Sequence, residues 1–309
     1  MQSLIPLLYM RLKYITSFLL LASLVTSLVI FTSAETDQPH PTEVKPSTIK
    51  PFPLPKTLNV AGELMPLDKL DVQESLDREI LVNTYWQSNN LLMLKRSDKW
   101  FPVITPILEE NGIPEDFKYL VLIESGLQNI VSPAGAAGPW QIMKGTALDH
   151  GLEVTSEIDE RYHMVKATAV ACEYLNEAHN RFNNWTLAAA SYNMGMTGTA
   201  KRLSEQRVNS YYDLRLNSET GRYVYRLAAL KHIHEHLEDY GYVYHKSAGY
   251  SLPVFDTITV NSSVPSWVDW SIEHHTTYKA LRLYNPWLRA SKLSNISNNT
   301  YQILVAKES

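Results

Sequence analysis

Apolar side chains recur at helical spacing through most of the chain between Asn59 and Gly241, with no strand-like alternation. Met164, Ala167, Thr168, Ala171, Leu175, Ala178 and Phe182 keep one face of a predicted helix that ends near Phe182. A second helix is predicted from Trp185 to Met194 and stops at Gly195. Its Ala188, Ala189 and Ala190 let it approach its neighbours closely. A third runs from about Glu219 to Leu237, with Tyr223, Leu227, Leu230 and Leu237 on one face. Pro114 suits the first turn of another, with Glu115 and Asp116 at its positive end, and Gly126 closes it after Ser125.

Beyond Pro253 the pattern changes. Phe255, Thr257 and Thr259 alternate with Asp256, Ile258 and Val260, which reads as a strand. A helical stretch follows from Trp267 to Tyr284, closed by Asn285-Pro286, and Thr300 to Val305 is a second strand candidate. The expected fold class is mainly α: a helical domain over residues 57–245, then a small α+β unit of β-α-β order over residues 250–309.

The N-terminus has a different character. Arg11 and Lys13 precede an uncharged apolar run of 17 residues from Ile15 to Phe31, and Thr32, Ser33 and Ala34 follow. This is the layout of a secretory signal, and the run is also just long enough to span a bilayer. Residues 1–34 are therefore expected to be a cleaved signal peptide or an uncleaved membrane anchor. Both place the remainder outside the cytoplasm, in the periplasm or cell envelope. Residues 35–56 hold six of the 16 prolines and read as a semi-extended linker, at about 3 Å per residue either a tether or a plain spacer.

Composition narrows the partners. A formal charge of −4 argues against nucleic acid, which rewards clustered Lys and Arg. Cys172 is the single cysteine, so no intrachain disulfide forms, and its Ala-rich surroundings make it a small core residue. His232 and His236 stand four apart and could share an ion. No acidic base follows at the zinc-protease spacing, so the expectation is a solvated helix face with His234 turned inward, and no metal or cofactor.

One carboxyl stands out. Phe117, Leu120, Val121 and Glu124 fall at i, i+3, i+4 and i+7, which sets Glu124 on an apolar stripe near a helix end. Burial raises a carboxyl pKa, and an acid that keeps its proton near neutral pH is what a general acid requires. Position alone also allows a structural carboxyl paired with Arg. After it comes Ser132-Pro133-Ala134-Gly135-Ala136-Ala137-Gly138-Pro139-Trp140-Gln141, a loop with little side-chain bulk that lets a ligand approach the backbone, or an ordinary turn between helices.

Taken in order, Glu124-Ser125, Ser132-Pro133-x-Gly135-Ala136-x-Gly138-x-x-Gln141, Ala190-Ser191-Tyr192-Asn193-Met194-Gly195 and Tyr223 resemble the four motifs of the family 1 lytic transglycosylases. These share the goose-type lysozyme fold. Pro139-Trp140 departs from the usual Leu-Met and is similar to the membrane-bound type D branch, a change expected to bear on groove contacts. The resemblance implies an enzyme that cuts peptidoglycan glycan strands between N-acetylmuramic acid and N-acetylglucosamine without water, leaving 1,6-anhydro ends. It implies Glu124 as general acid and then base, Tyr223 orienting it, and Ser132, Gln141, Tyr192 and Asn193 lining the sugar groove. Residues 281–288 weakly resemble the second helix of a LysM peptidoglycan-binding module; glycan binding and a structural cap are both open. A hydrolytic goose-type lysozyme and a non-catalytic wall-binding protein are the alternatives to the transglycosylase.

Overall fold

The computed structural model describes residues 49–307. The Arg11–Ala34 segment and most of the Pro-rich stretch lie outside the described residues. Among the described residues, no helix is long and apolar enough to cross a membrane.

The first element is a small antiparallel hairpin, β1 (Asn59–Val60) and β2 (Glu63–Leu64). No alternation marks it in the sequence, because two residues per strand are too few to carry a period. Its function in the fold is local. The Glu63 carboxylate accepts from the amides of Trp185 and Thr186 at 2.6 and 2.9 Å. These are free N–H groups at the start of α6 (Trp185–Met194), where a negative charge is favoured. Asn184 caps the same end through Leu187 N at 2.7 Å.

Two long helices follow, α1 (Leu70–Tyr85) and α2 (Gln87–Glu110). A 3₁₀ turn over Glu115–Tyr119 leads into α3 (Leu120–Ser125), so the helix predicted from Pro114 is two pieces. Then come α4 (Lys144–Asp149), α5 (Met164–Phe182), α6, α7 (Met196–Gln206) and α8 (Thr220–Glu235). The predicted limits of α5 and α6 hold. Gly195 ends α6 at a φ of 76°, and Asn183 ends α5 at a φ of 46°, both conformations that terminate a helix. α8 starts one residue later than expected and yields to a 3₁₀ turn at Leu237–Tyr240.

α1 packs against α8, and α5 lies between α2 and α6. Their shared core includes Leu76, Ile80, Ile104, Leu108, Phe117, Leu120, Leu175, Leu227 and Leu230. Each such side chain contributes about 2 kcal/mol by burial. Cys172 is fully buried, and burial pushes its thiol up to about 12. His234 turns inward as expected, pairs with Asn90 Oδ1 at 2.8 Å, and burial lowers its pKa to about 3. His236 is exposed and pairs through Nδ1 with the His232 carbonyl at 2.9 Å. Phe52 is buried against Tyr85 and Tyr240, so the packed body begins inside the Pro-rich stretch, ahead of the expected residue 57. From Pro51 onward the chain forms one compact unit.

The C-terminal unit has two helices where one was predicted, α9 (Trp267–Glu273) and α10 (Tyr278–Tyr284). His275 at a φ of 53° breaks the run, and Thr277 caps α10 through Ala280 N. The order is therefore β-α-α-β rather than β-α-β. Strands β3 (Phe255–Val260) and β4 (Tyr301–Ala306) pair antiparallel, from Phe255 opposite Ala306 to Val260 opposite Tyr301. Ile258, Val260, Tyr301, Ile303 and Val305 face a second core with Trp267, Trp270, Leu281 and Trp287. Ala137, Ile158 and Tyr162 of the preceding domain belong to that core too.

Candidate active site

Glu124 is the penultimate residue of α3. Leu120, Val121, Leu122 and Ile123 are all buried, so α3 is enclosed on nearly every side rather than striped. Glu124 keeps part of its surface exposed, as a group that must reach a ligand requires. Gly126, in the left-handed region at a φ of 60°, ends the helix immediately afterwards.

Burial raises the Glu124 pKa from 4.5 to about 7. The Tyr223 hydroxyl donates to Glu124 Oε1 and, with the nearby positive charge of Arg226, opposes that rise; Glu219 adds to it. The pKa of Tyr223 is itself driven well above 10 by burial and the adjacent carboxyl, so the phenol stays a donor. The acid is therefore about half protonated at neutrality, far more than an ordinary carboxyl, and has a partner for the carboxylate once the proton leaves.

Tyr223 lies 99 residues from Glu124 and is held by α8. An ion pair between a buried carboxylate and a part-exposed guanidinium braces that helix. The Glu79 carboxylate, on α1, accepts from Arg222 Nε at 2.6 Å and Nη2 at 3.2 Å. The two-point contact sets the rotation of α8 beside α1, and with it the direction of the next side chain, Tyr223.

The Ser132–Gln141 loop is braced by its own polar groups. Ser132 Oγ accepts from Ala136 N at 3.0 Å. Gln141 Nε2 donates to Gly138 O at 2.8 Å and Ile130 O at 3.0 Å. Gln141 sits at a φ of 48°, a left-handed conformation that costs about 1–2 kcal/mol for a residue with a Cβ. Ser125 Oγ joins the helix end to the loop by donating to Pro139 O at 2.6 Å. Trp140 is fully buried and donates to Thr168 Oγ1 at 2.8 Å, so it packs the core instead of touching a groove. That corrects the expected meaning of the Pro139-Trp140 departure.

Gly138 has a φ of 78°, and a Cβ there would lie 1.9 Å from the Arg161 carbonyl oxygen. A Gly138→Ala variant is expected to lose about 3 kcal/mol or more, from the forbidden conformation and the backbone clash together. Urea unfolding measures this; a loss below about 1 kcal/mol would mean that the two segments separate at little cost.

Tyr192 and Asn193 end α6. The Tyr192 hydroxyl donates to Trp140 O at 2.9 Å, and its ring meets Trp140 and Tyr174. Asn193 accepts from Thr220 Oγ1 at 2.8 Å and donates to Glu219 Oε1 at 3.4 Å. Glu124 and Tyr223 are thus in direct contact, while Ser132 and Gln141 shape the loop and Asn193 joins α6 to the start of α8. Ser125, Arg226 and Glu219 were not singled out from sequence. Ser125 stands inside the first motif and Glu219 at the predicted start of the helix that carries Tyr223; Arg226, one turn after Tyr223, was the available signal for a charge beside the acid.

The described residues thus form a mainly helical domain, in which Tyr223 bonds the part-exposed Glu124, followed by a small β-α-α-β unit. Residues 103–214 match the transglycosylase SLT domain, and residues 256–309 match the C-terminal LysM-like domain of the soluble lytic transglycosylases. Tyr223 lies beyond the end of the first match. The chain is homologous to the membrane-bound lytic murein transglycosylase D of Escherichia coli strain K12, with 28% identity over 152 residues. That alignment covers 47% of this chain and 34% of the relative, and the protein from strain CFT073 matches equally. The chain therefore spans about a third of the length of the curated relatives it matches. Among solved structures, an inactive mutant of the lytic transglycosylase Slt from Pseudomonas aeruginosa is similar, with a TM-score of 0.38 and 20% identity over 45% of this chain and 24% of that one.

Proposed function

We propose that this protein is a lytic transglycosylase that cleaves the bond between N-acetylmuramic acid and N-acetylglucosamine in peptidoglycan. The observation that carries the reading is Glu124 with a pKa near 7, bonded by Tyr223, within a chain that carries an SLT domain. Protonated Glu124 gives its proton to the glycosidic oxygen as that bond breaks. The resulting carboxylate, bonded by Tyr223, takes the proton from the muramoyl C6 hydroxyl. That oxygen closes on C1 and forms the 1,6-anhydro ring. Proton donor and acceptor are the same side chain, and the nucleophile is already attached to the substrate, which removes the entropy cost of capturing water.

The sugar strand, on this reading, crosses the loop that Ser132 and Gln141 shape and the α6 end that carries Tyr192 and Asn193. The domain runs over about residues 57–245, extended by the packing of Phe52. The LysM-like unit adds glycan contact, and the Arg11–Ala34 segment directs or tethers the protein to the cell envelope.

Digestion of purified peptidoglycan with mass analysis of the fragments is the test. Anhydro ends are about one water lighter than the reducing ends of hydrolysis. One observation favours a hydrolytic muramidase instead. Glu219 is close enough to raise the Glu124 pKa, and a second carboxylate can activate water. Fragments that all carry free reducing termini would establish that alternative, and no fragments at all would end the enzymatic reading.

A further inference from the structure

Arg161 is buried and its guanidinium serves three residues at once. Nε and Nη2 meet the two oxygens of Asp159 at 2.9 and 2.8 Å. Nη1 donates to Gly135 O at 3.0 Å and to Ile142 O at 3.2 Å. A planar fork saturated by one carboxylate has its remaining edge fixed in direction, and that edge here ties Gly135, within the Ser132–Gln141 loop, and Ile142, just past it, to one point. Gly138, in the middle of the loop, lies on the Arg161 carbonyl with no room for a Cβ. The loop and Ile142 therefore rest on Arg161 at three places.

The same segment is bound to the C-terminal unit on its other side. Asp159 N donates to Trp287 O at 2.9 Å, and Arg289 N to Glu157 O at 2.7 Å. Ile158 pairs with Leu288 as an isolated antiparallel bridge. The Glu157 carboxylate accepts from Ser294 N at 2.6 Å and Ser294 Oγ at 2.8 Å. The Arg289 guanidinium lies over the Tyr162 ring, 4.1 Å from its centre. Ala137 of the loop is fully buried in the core that Trp287 and Leu288 complete.

We propose that Arg161 is a positioning residue for the active site, and that through it the C-terminal unit sets the shape of the loop beside Glu124. The proposal rests on the reading of that loop as the sugar-binding element. The C-terminal unit is then a working part of the catalytic domain as well as a wall-binding appendage. The guanidinium contacts of Arg161 go to Asp159 and to the loop backbone and not to Glu124, so on this proposal it acts on substrate fit.

The test uses the full chain and two readouts. Amide hydrogen exchange across residues 132–142 is compared with exchange across α8 in wild type, Arg161→Ala, Arg161→Lys and Glu157→Ala. Loop exchange is expected to accelerate about tenfold or more in Arg161→Ala, and less in Arg161→Lys, which keeps the charge but loses the fork, with α8 unchanged. Glu157→Ala touches no loop contact and is expected to accelerate loop exchange through the loosened C-terminal unit. On soluble glycan strands, KM is expected to rise about tenfold in Arg161→Ala, with the alkaline fall of the pH profile unmoved. Unchanged loop exchange in Arg161→Ala or in Glu157→Ala overturns the proposal, as does a shift of the pH profile with constant KM. Should Arg161→Ala fail to fold, unchanged loop exchange in the other two variants overturns it equally. If wild type releases no glycan fragments, the proposed activity fails, while the exchange comparison still decides whether Arg161 carries the loop.

Discussion

A Glu124→Gln variant is expected to lose glycan cleavage by about 10³-fold or more while gaining stability above neutral pH. The loss follows from chemistry: an amide can neither give a proton to the leaving oxygen nor take one from the C6 hydroxyl, and each transfer is ordinarily worth about 10²–10⁴ in rate. The gain follows from linkage. Folding raises the carboxyl from 4.5 to about 7. Between those values the folded chain retains a proton that the unfolded chain has released, so stability falls as pH rises through that window. Above it, the ionised carboxyl costs on the order of 3 kcal/mol. Gln carries no charge, and its side-chain oxygen still accepts from Tyr223. Urea unfolding should therefore show the variant ahead of wild type at about pH 8, with the gap closing toward about pH 4. A variant that cleaves as fast as wild type removes Glu124 from the chemistry. One that cleaves nothing but shows no stability gain means that Glu124 is ionised in the folded protein and is a poor acid.

Tyr223→Phe is expected to reduce kcat by about 10- to 100-fold, the worth of one hydrogen bond to a charged acceptor. Its pH profile carries the sharper information. The Tyr223 hydroxyl stabilises the carboxylate and so holds the Glu124 pKa down. Without it, the pKa moves above about 7. Activity that needs the protonated acid falls as pH rises through that pKa, so the alkaline fall of the variant should lie at higher pH than that of wild type. A fall at the same or lower pH would mean that Tyr223 acts on the sugar and not on the acid. Burial of the Tyr223 side chain makes the Phe replacement a fair test, since the ring keeps its packing.

Several elements were legible because local physics decides them. α5 and α6 begin and end where periodicity, Asn183 and Gly195 require. The strands β3 and β4 follow from alternation and from Pro253. Other elements resisted because two local signals conflict. Pro102 and Pro106 signal breaks, yet α2 runs through both, since its buried face of Leu94, Ile104 and Leu108 outweighs the lost ladder bonds. Trp267 to Tyr284 reads as one helix, yet His275 leaves it where Trp270 and Leu281 must both reach the same core. Phe52, inside a Pro-rich stretch, joins the body only because Tyr85 and Tyr240 make a place for it.

The site divides along the same line. The sequence by itself determined which residue types stand at which spacing: an acid at a helix end, a loop of small residues, an Ala-rich helix and a later tyrosine. Those are properties of contiguous chain. Only the tertiary structure decided that Tyr223 meets Glu124 across 99 residues, that Glu79 turns α8 to make this happen, and that the Ser132–Gln141 loop rests on Arg161. It also decided the pKa near 7, since the shift comes from apolar groups on several elements closing around one carboxyl. Hydrogen bonds and desolvation act over a few ångströms of space, and distance along the chain carries almost no information about which groups will share them.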